Sequence, residues 1–434
     1  MEDLDHRMNV AVIGAGWAGM AAAVALAQEG IPVTVFEAAR HLGGRARSVA
    51  MEGVDLDNGQ HILIGAYGES LRMMRAVGAD PDRLLLRLPL ALEYPGKFHL
   101  RAPQLPAPWH LLAALLTAGG LTWGERISAA RFMTAMRAKA YRIEADMPVA
   151  ALLAQHRQTG ALARYLWEPL CVSALNTPAA SASAQVFLNL FRDALDGARA
   201  NSDFLIPRID LGRLFPEPAA DFVRASGGAV RLGAPVRSLD RTAQGFVLDA
   251  AAERYSHAIL AVGPHQVDAL LDRFAALAPM RQNIAAFVYE PIYTCYLQYP
   301  PRVTMPQPMT GFEGGSVQWI FDRGRLNGIS GLLAAVISAR GAHQASSQDV
   351  LADAIHRELG AFLPGLPAPL WSRVIAEKRA TFSCRPGLVR PENRTAVDGL
   401  YLAGDYTASD YPATLEAAVR SGMLAARLVR EEQR

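Results

Sequence analysis

Cysteine is scarce. Cys171, Cys295 and Cys384 are the three in 434 residues. An odd number at wide spacing argues against a disulfide framework and against a metal site of the CxxC type, and it favours a reducing compartment. An excess of one charge is also lacking. The 43 basic and 41 acidic residues leave a net charge of +2, and the arginines are dispersed, so nothing points to nucleic acid. Long apolar runs are missing. LLAALLTAGGL at 111–121 falls well short of the ~20 residues a spanning helix needs. The polar, acidic start MEDLDHRMNV has no basic segment followed by an apolar one, so it does not read as a signal peptide. A cytoplasmic protein is expected. Solenoid repeats and low-complexity tracts are absent as well. What remains is 51% hydrophobic and 19% charged residues, ample for a large core in two or three domains, or two interleaved ones.

The chain opens as a βαβ unit. NVAVIG at 9–14 is β-prone, the Ala-rich 17–29 is helix-prone, Gly30 and Pro32 break it, and VTVFE at 33–37 is a second strand. Helical periodicity dominates 69–78, 108–166 and 181–198. Pro-rich punctuation stands at 103–108 and 207–218. The reading turns to β over 228–263, and strands are expected at YTCYLQY, SVQWIF and GLLAAVIS between 290 and 340. An amphipathic helix covers 348–363. The end returns to α/β, with GLYLAGDYT and a helix from about Ala413 to Arg430.

GAGWAG at 14–19 places Gly14, Gly16 and Gly19 in the G-x-G-x-x-G spacing. Gly14 permits the tight turn, Gly16 lets a pyrophosphate approach, and Gly19 lets helix and strand pack closely. Trp17 and Ala18 begin the helix whose N-terminus faces the phosphates. Glu37 ends the second strand 23 positions beyond Gly14, near the separation of about 20 expected for a ribose-binding acid. Ala38 follows it.

HLGGRARS at 41–48 carries Gly43, Gly44 and Arg45 just after this unit. The doublet resembles that of glutathione-reductase-type flavoproteins, especially the amine oxidase and carotenoid desaturase superfamily. Two glycines free the backbone to pass a cofactor closely, and Arg45 can contact a phosphate. The resemblance extends to LYLAGDYT at 400–407, where Gly404 and Asp405 match the ribityl-binding position. It extends to Ala413, Thr414 and Leu415, where a helix N-terminus would face the flavin ring and stabilise its anionic reduced form. Val236 matches a position whose backbone meets adenine, and Gly263 in AVGP a second strand-end glycine. The resemblance therefore implies FAD and an α/β fold, a Rossmann-like FAD-binding domain interleaved with an α+β substrate domain. The FAD domain is expected over 1–75, 220–275 and 376–434, and the substrate domain over 76–219 and 276–375.

DNGQHILIGAY at 57–67 and LAGDYTASDYPATLEAAVRSG at 402–422 are similar to the squalene-associated branch of the desaturase family. That likeness implies a long isoprenoid substrate, hydroxysqualene. This allylic C30 alcohol would lose its hydroxyl with acid assistance and gain a hydride from flavin N5. No second dinucleotide fold is present for NADPH, so an external electron donor is implied. The DNGQH turn would pass closely under the ring at Gly59, with Asn58, Gln60 and His61 contacting flavin or substrate. His61, Asp410 and Tyr411 are the candidate acids, and Asp57 and Gln60 read equally well as satisfied turn residues. Residues 106–133, with Trp109 and Trp123 at the edges of an apolar run, suit an interfacial helix pair as well as a core helix. Peripheral membrane association follows from the first reading. Met280, Phe287, Tyr293, Tyr296, Trp319 and Phe321 are candidates to line an apolar tunnel. A carotenoid-type desaturase, an amine oxidase and a non-redox lipid-binding escort are the rival readings. The escort is disfavoured because Gly14, Gly16, Gly19, Glu37, Gly43, Gly44 and Asp405 are all present.

Overall fold

The computed structural model describes residues 8–432; the polar start at 1–7 lies outside them. Five strands form one parallel sheet in the order Ala229–Leu232, Val33–Glu37, Val10–Ile13, His257–Leu260, Leu400–Leu402. VAVI and LYL are buried throughout, as strands covered on both faces must be. The helix Trp17–Gln28 crosses from the first strand to the second and buries most of its length. Leu415–Glu431 lies beside it, presenting Ala418, Gly422, Ala425 and Val429 along one stripe. A methyl on Gly422 would stand 2.0 Å from the Ala18 carbonyl oxygen, so glycine is what lets these two helices touch.

A second sheet is antiparallel, in the order Met309–Gly311, Trp319–Asp322, Leu332–Ser338, Tyr289–Gln298, Trp371–Phe382. Side chains alternate between its faces. On the long strand Tyr289–Gln298, Tyr293, Cys295 and Leu297 join one apolar cluster and Tyr296 joins the main core. Trp319 and Phe321 belong to the same core as Tyr296. Tyr293 turns the other way, onto His343 at a 4.8 Å ring separation. One wall therefore gathers Tyr296, Trp319 and Phe321 of the expected tunnel set and leaves Tyr293 behind it.

The expected elements match closely, and the structure adds others, among them an edge strand and two short pairings. Trp371–Phe382 is a 12-residue strand without a strong apolar signal, because it is an edge strand whose middle is largely polar and partly exposed. The expected lobe boundary at 375/376 falls inside it. A hairpin pairs Ser48–Met51 with Val54–Asp57. The short strand Leu63–Ile64 pairs with Phe204–Pro207, which also pairs with Leu85–Leu88.

The 109–138 region forms two helices, Trp109–Thr117 and Trp123–Ala138. The second has a capping box: Glu125 N donates to Thr122 Oγ1 (3.3 Å) and Thr122 N to the Glu125 carboxylate (2.8 Å), a motif that contributes about 1 kcal/mol. Trp109 is 61% and Trp123 66% exposed. Among the described residues no helix is long and apolar enough to cross a membrane.

Candidate functional site

The glycine loop is packed to the limit its residues allow. Gly14 has φ +106°, and a methyl there would meet the Ala261 carbonyl oxygen at 2.5 Å. A methyl on Gly19 would meet the Gly14 carbonyl oxygen at 1.9 Å, whereas at Gly16 the nearest atom would be Gly44 Cα at 3.9 Å. The loop is closed on its strand side and open at Gly16, where a bridge joins Gly16 to Gly43. No side chain caps the Trp17–Gln28 helix and no acid stands in its first turn, so its leading amides and positive end are free for an anion. Trp17 packs on Phe215 at 5.1 Å, and its indole nitrogen is buried without a partner among the described residues.

Glu37 accepts from the Ala15 and Ala39 amides, each at 2.8 Å. Each carboxylate oxygen retains a lone pair for a ribose hydroxyl. Ala38 is exposed beside it. Gly233 N and Ala234 N bond the carbonyls of Ala39 and Glu37 at 2.9 Å, which brings the loop holding Val236 alongside Glu37. Gly263 caps the helix Pro264–Leu270. Gly404 N donates to Ser421 Oγ at 2.9 Å. Thr414 caps the last helix by accepting from Ala417 N at 3.1 Å, and Ala413 and Leu415 flank it.

Arg45 and Asp405 meet each other. The guanidinium donates to Asp405 Oδ1 at 2.6 Å and to the Ala380 carbonyl at 2.7 Å. Arg390, unmarked in the sequence, donates to the carbonyls of Asp405 (2.7 Å), Ser409 (3.0 Å) and Tyr411 (2.7 Å). It thereby fixes the shape of the 405–411 loop. The Tyr406 hydroxyl within that loop is buried and has no partner among the described residues.

The 57–61 turn is held from outside. Asp57 Oδ1 accepts from Leu211 N at 2.9 Å, and Tyr296 OH donates to the Asp57 carbonyl at 3.0 Å. Arg323, fully buried, donates to Asp57 Oδ2 at 3.4 Å and to Gln60 Oε1 at 2.7 Å. Burial pushes the Asp57 carboxyl up, against the pull of Arg323. Asn58 donates to the Arg45 carbonyl at 3.1 Å and to Glu377 at 3.3 Å. Gly59 has φ +114°, a conformation glycine adopts without strain. His61 Nδ1 lies 2.9 Å from the Gly59 carbonyl; its N–H donates there, which leaves Nε2 available. Burial lowers the His61 pKa below 6.5, against the Gly59 bond and Asp57, with Arg45 pushing the same way as burial.

The three candidate acids are not brought together. The Asp410 side chain is 68% exposed and pairs with Arg192 at 3.5 Å. The Tyr411 hydroxyl is committed to Asp193, its ring lies under Arg420 at 4.7 Å, and burial with Asp193 pushes its pKa up. Sequence reading missed Arg323 and Arg390. Each is an ordinary residue in an apolar or loop context, and its importance comes only from what lies opposite it.

The chain matches the family of flavin containing amine oxidoreductases over residues 17–430, and it belongs to that family. It is similar to the hydroxysqualene dehydroxylase of Zymomonas mobilis, 29% identical over 96% of this chain and 98% of that one. It resembles the enzyme of the same name from Rhodopseudomonas palustris at 29% over 97% and 98%. An oxidoreductase from Methanosarcina mazei has the same fold, with a TM-score of 0.75 at 16% identity over 97% and 100% of the two chains. The open Gly16 cradle, the uncapped helix end and the unpartnered Trp17 and Tyr406 atoms fit the cofactor of this family. The protein is an FAD-dependent oxidoreductase.

Proposed function

We propose that this member of the flavin containing amine oxidoreductases removes the hydroxyl from an allylic C30 alcohol, hydroxysqualene, and replaces it with hydrogen to give squalene. The observation that carries the reading is the near-full-length likeness to two enzymes of that name. It is joined to one apolar sheet face beside the 57–61 turn, which carries Tyr296, Trp319 and Phe321. When bound in its reduced form, FAD supplies hydride.

The residues of the chain have separate tasks in this reading. Gly14, Gly16, Trp17, Ala18 and Gly44 cradle the pyrophosphate, with Glu37 and Ala38 at the ribose and Val236 and Gly263 near the adenine side. Asp405 with Gly404 takes the ribityl chain, Arg45 stands beside it, and Ala413–Leu415 direct a positive helix end at the ring. The segments 1–75, 220–275 and 376–434 form the cofactor lobe; 76–219 and 276–375 form the substrate lobe. His61 protonates the departing hydroxyl from its imidazolium form. It is favoured over Asp410 and Tyr411 because its Nε2 is not engaged, whereas Asp410 pairs at the surface and Tyr411 is bonded to Asp193. Asp57 supports the charged ring. The electron donor is external.

The helices bearing Trp109 and Trp123 face a membrane in this reading, where so apolar a substrate resides. Support comes from Leu105, Trp109, Trp123 and Ile127, the exposed large apolar side chains of this region, since amphipathic aromatic rings favour the bilayer interface. Flotation with anionic liposomes recovers the protein if this holds and leaves it at the bottom of the gradient if it does not.

Product analysis decides the reaction. Dithionite-reduced protein given hydroxysqualene yields squalene in a single turnover, and His61→Ala abolishes most of it. Full single-turnover activity in His61→Ala removes His61 as the acid. Inertness toward hydroxysqualene with conversion of phytoene selects the desaturase reading instead.

A further inference from the structure

The Thr294 hydroxyl is wholly buried and has no hydrogen-bond partner among the described residues. Leaving such a group unpaired costs about 1–3 kcal/mol, so a native protein carries one where something else satisfies it. Its position is set by strand alternation. Tyr296, two residues along, reaches across to the Asp57 carbonyl, so Thr294 is on the face turned toward the 57–61 turn. Opposite it stands Gly59. A methyl there would lie 3.9 Å from both Thr294 Oγ1 and His61 Cε1, with no other atom within 4 Å beyond its chain neighbours. The hydroxyl and the imidazole therefore border one small space on an otherwise apolar wall, in which Thr294 is flanked on the neighbouring strands by Val336 and Ile375.

We propose that Thr294 and His61 form a subsite for the alcohol oxygen of the substrate, and that Thr294 is the residue by which the site distinguishes an alcohol from the corresponding hydrocarbon. Thr294 donates its hydroxyl proton to the alcohol oxygen. His61, whose Nδ1–H is held by the Gly59 carbonyl, meets the same oxygen through Nε2, accepting from the alcohol while neutral and donating to its oxygen once protonated. The hydrocarbon product satisfies neither group, so it leaves a buried hydroxyl unpaired and is released. This inference rests on the reaction proposed above.

The test is equilibrium binding of the C30 allylic alcohol and of squalene, each in detergent micelles, to the flavin-loaded protein, with flavin absorbance as a second readout. Wild-type protein should prefer the alcohol roughly tenfold, the size of one net hydrogen bond. Thr294→Val, of nearly the same shape, should remove that preference, and Thr294→Ser should keep it, with flavin content and absorbance unchanged in both. Thr294→Ala supplies the same comparison if the valine variant does not fold. Wild-type preference retained in the variants without the hydroxyl overturns the inference. So does a shifted flavin spectrum with the preference intact, since Thr294 then serves the flavin. A wild-type protein that leaves the alcohol unreacted and prefers neither ligand overturns the reaction reading itself. Normal wild-type turnover with no effect at Thr294 overturns this inference alone.

Discussion

Around Gly14–Gly19 the chain is held by backbone against backbone; around Gly59 it is held by side chains arriving from far along the sequence. In the first region a single methyl at Gly19 would stand 1.9 Å from a carbonyl oxygen, so one residue type fits and the spacing is fixed by the loop itself. In the second, Asp57 and Gln60 are gripped by Arg323, and Asp57 also by Tyr296, residues more than 200 positions away. Either arrangement makes a defined site. The first is recognisable wherever it occurs, because its constraint is local. The second depends on which strand the fold sets opposite, and it can be retuned by isosteric changes.

The comparison is broken most severely at His61. Its replacement by Gln should slow single turnover by about 10²–10⁴-fold, the usual contribution of a general acid, without loss of flavin. Because burial holds the His61 pKa below 6.5, the wild-type rate should rise as pH falls below 6.5 and level off beneath the lowered pKa. Stability moves oppositely. Protonating this histidine costs more in the folded chain than in the unfolded one, so the stability His61 contributes is present above pH 6.5 and lost as pH falls through the lowered pKa. A rate profile that is flat over this range removes His61 as the donor.

Arg323→Leu should come next, costing about 3–5 kcal/mol by leaving Asp57 buried without its cation. Urea denaturation measures it, and adding Asp57→Asn should recover part of the loss. Additive effects in that double variant would mean the pair is not coupled. Gly19→Ala should cost about 1–3 kcal/mol through overpacking and yield protein poor in 450 nm absorbance. A fully yellow, equally stable variant would dissolve the contrast between the two regions. Smallest is Thr414→Ala, about 1 kcal/mol for a lost helix cap, read as a modest fall in Tm with flavin retained.

Much of the glycine-loop geometry was legible. Gly14, Gly16, Gly19 and Glu37 act within one βαβ unit, so their spacing carries the geometry. Gly422 was legible as part of a resemblance, but its physical reason, contact with the Ala18 carbonyl, required both helices in place. The catalytic half was less legible. Asp410 and Tyr411 shortly precede the last helix in sequence, yet the loop turns Asp410 outward to Arg192 and Tyr411 onto Asp193. Nearness in sequence says nothing about where side chains point once a loop is pinned by Arg390. The strand Trp371–Phe382 escaped notice because an edge strand with a polar middle lacks the apolar pattern of a central one.

The sequence by itself determined the parallel sheet, the tight glycine loop and the acid at the end of the second strand, since alternation, helix periodicity and glycine spacing are properties of neighbouring residues. Tertiary structure alone decided that Arg323 grips the DNGQH turn, that Tyr293 and Tyr296 part to opposite faces of one strand, and that the Thr294 hydroxyl meets the open side of Gly59. Those are contacts between segments far apart in the chain, and no local pattern encodes which distant side chain will satisfy a buried polar group.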